Sequence, residues 1–157
     1  MNQRIEIAEA SFAHAEALAE TLRAGDAMEI AALGFTPLEA LDAVLCCSVQ
    51  AQTVLVVDSQ GRGQVAAMRG YAASSLLGDT ADLWTFTSHH ADGRKVTFMK
   101  ESRAYVVALQ EKFRRLRALV ALDYHQAVRW LRWLGFQDGE IETYGGRRFM
   151  RVSRYGR

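Results

Sequence analysis

The chain has 157 residues, enough for one domain with a buried core. Half of them are hydrophobic and the formal net charge is +1, so there is no global electrostatic case for nucleic acid or an anionic membrane. Its two cysteines, Cys46 and Cys47, are adjacent and poor partners for each other, which excludes a disulfide framework and fits a reducing compartment. Met1 to Glu9 alternates charged and apolar residues without the apolar core of a signal peptide. No run approaches the roughly 20 apolar residues of a membrane span. A cytoplasmic location is expected.

Ile5 and Ile7 alternate with Arg4 and Glu6 as a period-two strand. Ser11 is placed to cap a helix running to about Ala24, with Phe12, Ala15, Leu18, Ala19 and Leu22 as its apolar stripe. Gly25-Asp26 reads as an interruption and Ala27 to Leu33 as a second short helix, ended by Gly34. Thr36-Pro37-Leu38-Glu39 combines a threonine cap, a first-turn proline and a capping-box glutamate, so a third helix follows. Thr53 to Val57 reads as a buried strand, Asp58 to Gly63 as a turn, and Gln64 to Ala73 as the antiparallel return. Ala81 to Thr87 is strand-like, and Ser88 to Lys95 reads as a polar loop. Val96 to Phe113 is the longest helix, with Arg114 and Arg115 at the negative end of its dipole. Leu119 to Leu122 is a buried strand. Asp123, with Gln126 three positions on, is expected to cap a helix carrying Ala127, Val128, Leu131 and Leu134. Gly135 is its left-handed stop, with Phe136 packing back on Leu131. Tyr144 to Arg147 turns a final hairpin that returns along Arg148 to Ser153. This order, without repeats or linkers, predicts a single α+β domain over residues 1–157.

The order resembles the acetyl-CoA-dependent GNAT N-acyltransferase superfamily over nearly the whole chain. The residues carrying the likeness are His90-Ala91-Asp92-Gly93-Arg94-Lys95 between a strand and a long helix, the apolar pair Phe98-Met99, and Ala127 with Gly135-Phe136. The resemblance implies a mixed, mostly antiparallel sheet with helices on both faces, and acetyl-CoA as cofactor. It implies that Thr87, His90, Gly93, Arg94 and Lys95 hold the cofactor, its pyrophosphate lying on loop amides and a helix N-terminus. Glu29 is the general base by position, and Tyr124 the candidate acid or stacking residue. His90 stands where the family has Gln or Arg, and Lys95 where it has Gly or Ala. Tyr124 and Leu131 replace the family's asparagine and its tyrosine acid, and leucine has no proton to give.

More narrowly, Phe98 to Arg103, Arg129 to Phe136 and Ala27 to Gly34 resemble acetyltransferase-like proteins of short-tailed phage structural gene clusters, near the internal virion proteins. That likeness implies a phage protein in the host cytoplasm, associated with the virion. The departures from the motifs make a morphogenesis or virion protein, a pseudoenzyme, the first expectation. An active N-acetyltransferase of an amine or protein acceptor is the alternative. Trp133, flanked by Arg129 and Arg132, is expected to be exposed. With Arg147, Arg148, Arg151, Arg154 and Arg157 it offers a contact surface for phage structural proteins. Asp82 is a weaker base candidate. His89 and His90 lack further ligands at metal spacing, so no metal is expected. A triad of Ser102, Asp123 and His125 is set aside because Asp123 reads as a cap.

Overall fold

The structure, a computed structural model, describes residues 3–73 and 78–156. Met1 and Arg157, both used in the sequence reading, lie outside the described residues. The elements run β1 (Arg4–Glu9), α1 (Phe12–Thr21), α2 (Ala24–Ala32), α3 (Pro37–Cys47), β2 (Gln50–Val57), β3 (Gly63–Ala73) and β4 (Thr80–Thr87). A 3-10 turn (His89–Arg94) leads into α4 (Lys95–Lys112), then β5 (Arg115–Ala121), α5 (His125–Trp133), β6 (Ile141–Tyr144) and β7 (Arg147–Tyr155). Local chemistry sets several of the helix ends. The Ser11 hydroxyl accepts from His14 N at 3.1 Å and the Thr36 hydroxyl from Glu39 N at 3.3 Å. Gly135 is left-handed at φ +97°, Phe136 N donates to Leu131 O at 3.0 Å, and the Phe136 ring is buried.

Four local readings need correction. Gly25 and Asp26 do not interrupt a helix but lie in the first turn of α2. Asp123 does not cap α5: Tyr124 holds that position without a side-chain bond, while exposed Asp123 stands 3.7 Å from Arg147. The segment after Ser88 is not an open loop but a short 3-10 helix. Finally, β5 begins at Arg115, four residues before its apolar run. Its early arginines are matched by neighbouring strands, Arg115 to the Ser153 hydroxyl and Arg117 to both Asp82 oxygens at 2.7 and 3.0 Å.

The seven strands form one sheet in the order β1-β2-β3-β4-β5-β7-β6. Every pairing is antiparallel except β4 with β5. On one face α1 and α3 pack Ala15, Leu18 and Leu41 against Val65 and Met68. On the other face α4 and α5 pack Val106, Leu109 and Val128 against Tyr71, Val120 and Met150. This is the mixed, mostly antiparallel α+β architecture expected. Among the described residues no single helix is long and apolar enough to cross a membrane. Helices α2 and α3 reach that composition only together, across a 77° bend, and each packs inward through Ile30 and Leu41.

Candidate active site

The parallel pair β4 and β5 is in register only from Thr80 to Asp82 against Arg115 to Arg117. Beyond these three rungs the strands part. Backbone groups alternate along a strand, and Ser88 N donates to Ala66 O in the direction of β3. The N–H and C=O of Thr85 and Thr87 therefore point to the opposite side, into the gap that β5 has left. Helices α4 and α5 wall this gap into a cleft of about 400 Å³. Leu83, Val106, Ala118, Leu131, Leu134 and Phe136 make its interior mainly apolar, and exposed Lys95 and Arg129 stand at its rim. Phe98 and Trp130 stack across the two helices at 6.4 Å, and the Trp130 indole N–H in the cleft wall is buried without a hydrogen-bond partner.

Helix α2 crosses the open end. Asp26 accepts from the Thr87 backbone N–H at 2.7 Å and the Thr87 hydroxyl at 2.9 Å, finishing β4. Glu29, one turn on, accepts from the Ala121 N–H at 2.6 Å through Oε2, finishing β5. Two carboxylates spaced three apart on one helix thus hold the last amides of the two parted strands. Beyond them Ala32 meets the β6–β7 turn so closely that a Cβ on Gly145 would lie 2.4 Å from its carbonyl oxygen. Burial pushes the Asp26 carboxyl up, against the Thr87 hydrogen bonds that favour its anion. Burial, with repulsion from Asp26 and Asp123, raises Glu29 to about 7 against the Ala121 N–H and Arg147. Its Oε1 accepts no hydrogen bond among the described residues.

Tyr124 leans over the same helix. A Cβ added to Gly25 would lie 2.4 Å from the hydroxyl-bearing end of the Tyr124 ring, so only glycine admits the ring there. Burial and the facing carboxylates of Asp26 and Glu29 raise the Tyr124 hydroxyl, which keeps its proton. Gly25→Ala is expected to displace this ring and cost about 1–3 kcal/mol, the usual range for overpacking. Thermal denaturation of the variant against the parent chain measures this, and an unchanged midpoint contradicts the contact.

The structure brings together Glu29, Tyr124, Thr87 and Lys95, which all line the cleft. It does not bring His90, Gly93 or Arg94 to the lining. His90 packs against His89 with ring centres 4.2 Å apart, Arg94 donates to the Gln3 carbonyl, and Gly93 faces open space. Asp82 is paired with Arg117. Two features escaped the sequence reading. One is Asp26, visible in hindsight as an acid three positions before Glu29 in an otherwise apolar helix. The other is Arg69, buried at 4% exposure beneath the cleft. Its guanidinium is bidentate to Glu101, donates to Gln52 Oε1 at 2.9 and 3.2 Å, and lies 4.0 Å from the Tyr105 ring centre. Trp133 is 43% exposed, with Arg103 over its ring. Of the arginines of the last strand, Arg147 faces Asp123, Arg151 pairs with Glu142 and Arg154 bonds Leu134 O and Gln110, while Arg148 is exposed.

Solved structures share this architecture over nearly the full chain. A GNAT-family acetyltransferase from Bacillus anthracis superposes with a TM-score of 0.69 at 12% identity, covering 97% of this chain and 95% of that one. A ribosomal-protein-alanine N-acetyltransferase from Brucella melitensis gives 0.64 at 15% identity, covering 96% and 99%. An acetyltransferase structure from Salmonella typhimurium, solved with its cofactor acetyl-CoA, gives 0.60 at 12% identity, covering 97% and 94%. No family model and no curated protein matches the sequence. At these identities the likeness shows the fold: the chain has the architecture of the GNAT acetyltransferases.

Proposed function

We propose that the chain is an N-acyltransferase that takes its acyl group from acetyl-CoA. One observation carries the reading: the gap between two parted parallel strands ends at a carboxylate poised near neutrality with one oxygen free. The cleft residues fit such a donor in part. The edge of β4 at Thr85, past the last rung with β5, can bond an amide-bearing arm, the buried Trp130 N–H lacks an acceptor, and Lys95 and Arg129 supply positive charge for a pyrophosphate. His90, Gly93 and Arg94 contribute nothing to that lining as they stand. The bound donor supplies an activated thioester. Glu29 Oε1 accepts the proton of the incoming amine while Oε2 stays on the Ala121 N–H. Leu131 helps exclude water and gives no proton, which leaves the Tyr124 hydroxyl as the donor at the mouth. Titration calorimetry with acetyl-CoA tests the reading. Binding is expected, and no heat at millimolar donor rejects it.

A second reading, a phage morphogenesis or virion module built on the same fold, draws support from Leu131 in place of an acid and from exposed Trp133 beneath Arg103. Detection of the chain in purified particles is its test, and absence there counts against it.

A further inference from the structure

Strand β1 is the edge of the sheet at the end opposite β6. Its backbone groups alternate, and Ala10 N donates to Ala51 O at 3.1 Å in continuation of the β1–β2 register. The N–H and C=O of Ile5, Ile7 and Glu9 therefore point away from β2. The Gln3 carbonyl, on that same side, is taken by the Arg94 guanidinium. Ile5, Ile7 and Glu9 have no backbone partner there among the described residues. Two usual ways of blunting an edge strand are missing from β1, which has no proline and no bulge in its register. Its Arg4 and Glu6 neutralise each other at 2.8 Å.

The open edge runs into a groove of about 510 Å³ between the end of β1, the start of α1, the end of α3 and the start of β2. In its lining Phe12 is 56% and Val49 65% exposed. Its one charged residue is Glu9, which has no ion pair among the described residues. The adjoining helices α1 and α3 carry Glu16, Glu20, Glu39 and Asp42 and neither lysine nor arginine. This edge is therefore negative beside its apolar residues.

The groove shares a wall with the cleft. Ser48, Gln50 and Gln52 line the groove. Ser48 Oγ accepts from the Trp84 indole N–H at 2.7 Å, Gln50 Oε1 from the Tyr105 hydroxyl at 3.0 Å, and Gln52 Oε1 from Arg69 at 2.9 and 3.2 Å. Trp84, Tyr105 and Arg69 all line the cleft.

We propose that the β1 edge and this groove dock an extended, basic peptide segment of a partner protein. The segment adds an eighth strand, bonding the outward groups of Ile5, Ile7 and Glu9. It lays an apolar side chain against Phe12 and Val49, and its cations answer Glu9 and the acids of α1 and α3. The site stands apart from the acyltransferase reading and does not depend on it.

The test adds two blocked hexapeptides to the full chain, one alternating lysine with valine and one alternating glutamate with valine. With the lysine peptide, hydrogen exchange at the Ile7 and Glu9 amides is expected to slow about tenfold, and the Trp84 indole N–H resonance to shift. The glutamate peptide is expected to bind about tenfold more weakly or worse. Ile7→Pro removes an edge N–H that does not serve β2, so the sheet is kept and binding is lost. Phe12→Ser leaves the edge intact and weakens binding about fivefold. Unchanged exchange at Ile7 and Glu9, slowing at Thr85 in their place, or equal binding of the two peptides overturns the proposal. Dimerisation of the chain alone that Ile7→Pro abolishes puts a second copy on the edge and overturns it as well.

Discussion

Glu29→Gln is expected to lower kcat/KM for the proposed acetyl transfer by roughly 10²–10³, the contribution of a positioned general base. The glutamine can still accept from the Ala121 N–H through its carbonyl oxygen, so β5 keeps its end and the loss is one of proton transfer. On the acyltransferase reading, kcat/KM of the parent chain is expected to rise with pH through about 7, as Glu29 loses its proton, and the variant is expected to lose that step. Stability moves the other way. The folded chain holds the Glu29 proton more tightly than the unfolded chain, whose carboxyl titrates near 4.5. The stabilisation this brings is fully present below about 4.5 and is lost as pH rises through about 7. Glu29→Gln, which never carries the charge, is therefore more stable than the parent at pH 8 by about 2 kcal/mol, allowing for partial exposure. Denaturant titrations at pH 5 and pH 8 check the sign. Equal stability of variant and parent at both values contradicts the burial argument.

Arg69→Ala removes about 3–5 kcal/mol of stability, the scale of an uncompensated buried charge. Glu101 loses both of its guanidinium contacts, Gln52 its donors and Tyr105 its cation. Truncating both partners, Arg69→Ala with Glu101→Ala, costs less than the sum of the single changes because neither charge is then stranded. Urea unfolding of the two single variants and the double variant measures the coupling, and additive costs contradict it. The group ties β2 and β3 to the middle of α4 beneath Thr85, so its loss also loosens one wall of the cleft.

Local chemistry was read well where a residue's partner lies within a turn of it. Ser11, Thr36 and Gly135 act through bonds spanning three to five residues, and each ends its helix as expected. The errors share one cause. Gly25 looks like a helix breaker until the Tyr124 ring, 99 positions on, takes the space of its missing side chain. Arg115, with Arg114, looks like the end of a helix until Ser153 arrives from a neighbouring strand to make it the start of β5. Asp123 has the right type and spacing for a cap, but the chain places Tyr124 there, with ψ at 70°. Of the site, Glu29 and Tyr124 were named from a family likeness. Asp26 and Arg69 were missed because their roles depend on Thr87 and Glu101, which only the assembled sheet brings near.

The short parallel rung between β4 and β5 gives the sheet a mechanical character. Four strands lie on one side of it and three on the other, joined by three residue pairs and the Arg117–Asp82 ion pair. The two leaves are arranged as a book with a narrow spine, and α2 is the clasp across the fore-edge, fastened to one leaf at Asp26 and to the other at Glu29. A substituent that rotates α2 by a few degrees changes how far the book stands open. On the acyltransferase reading, the opening for the donor and the carboxylate that takes the acceptor's proton are then set by the same helix.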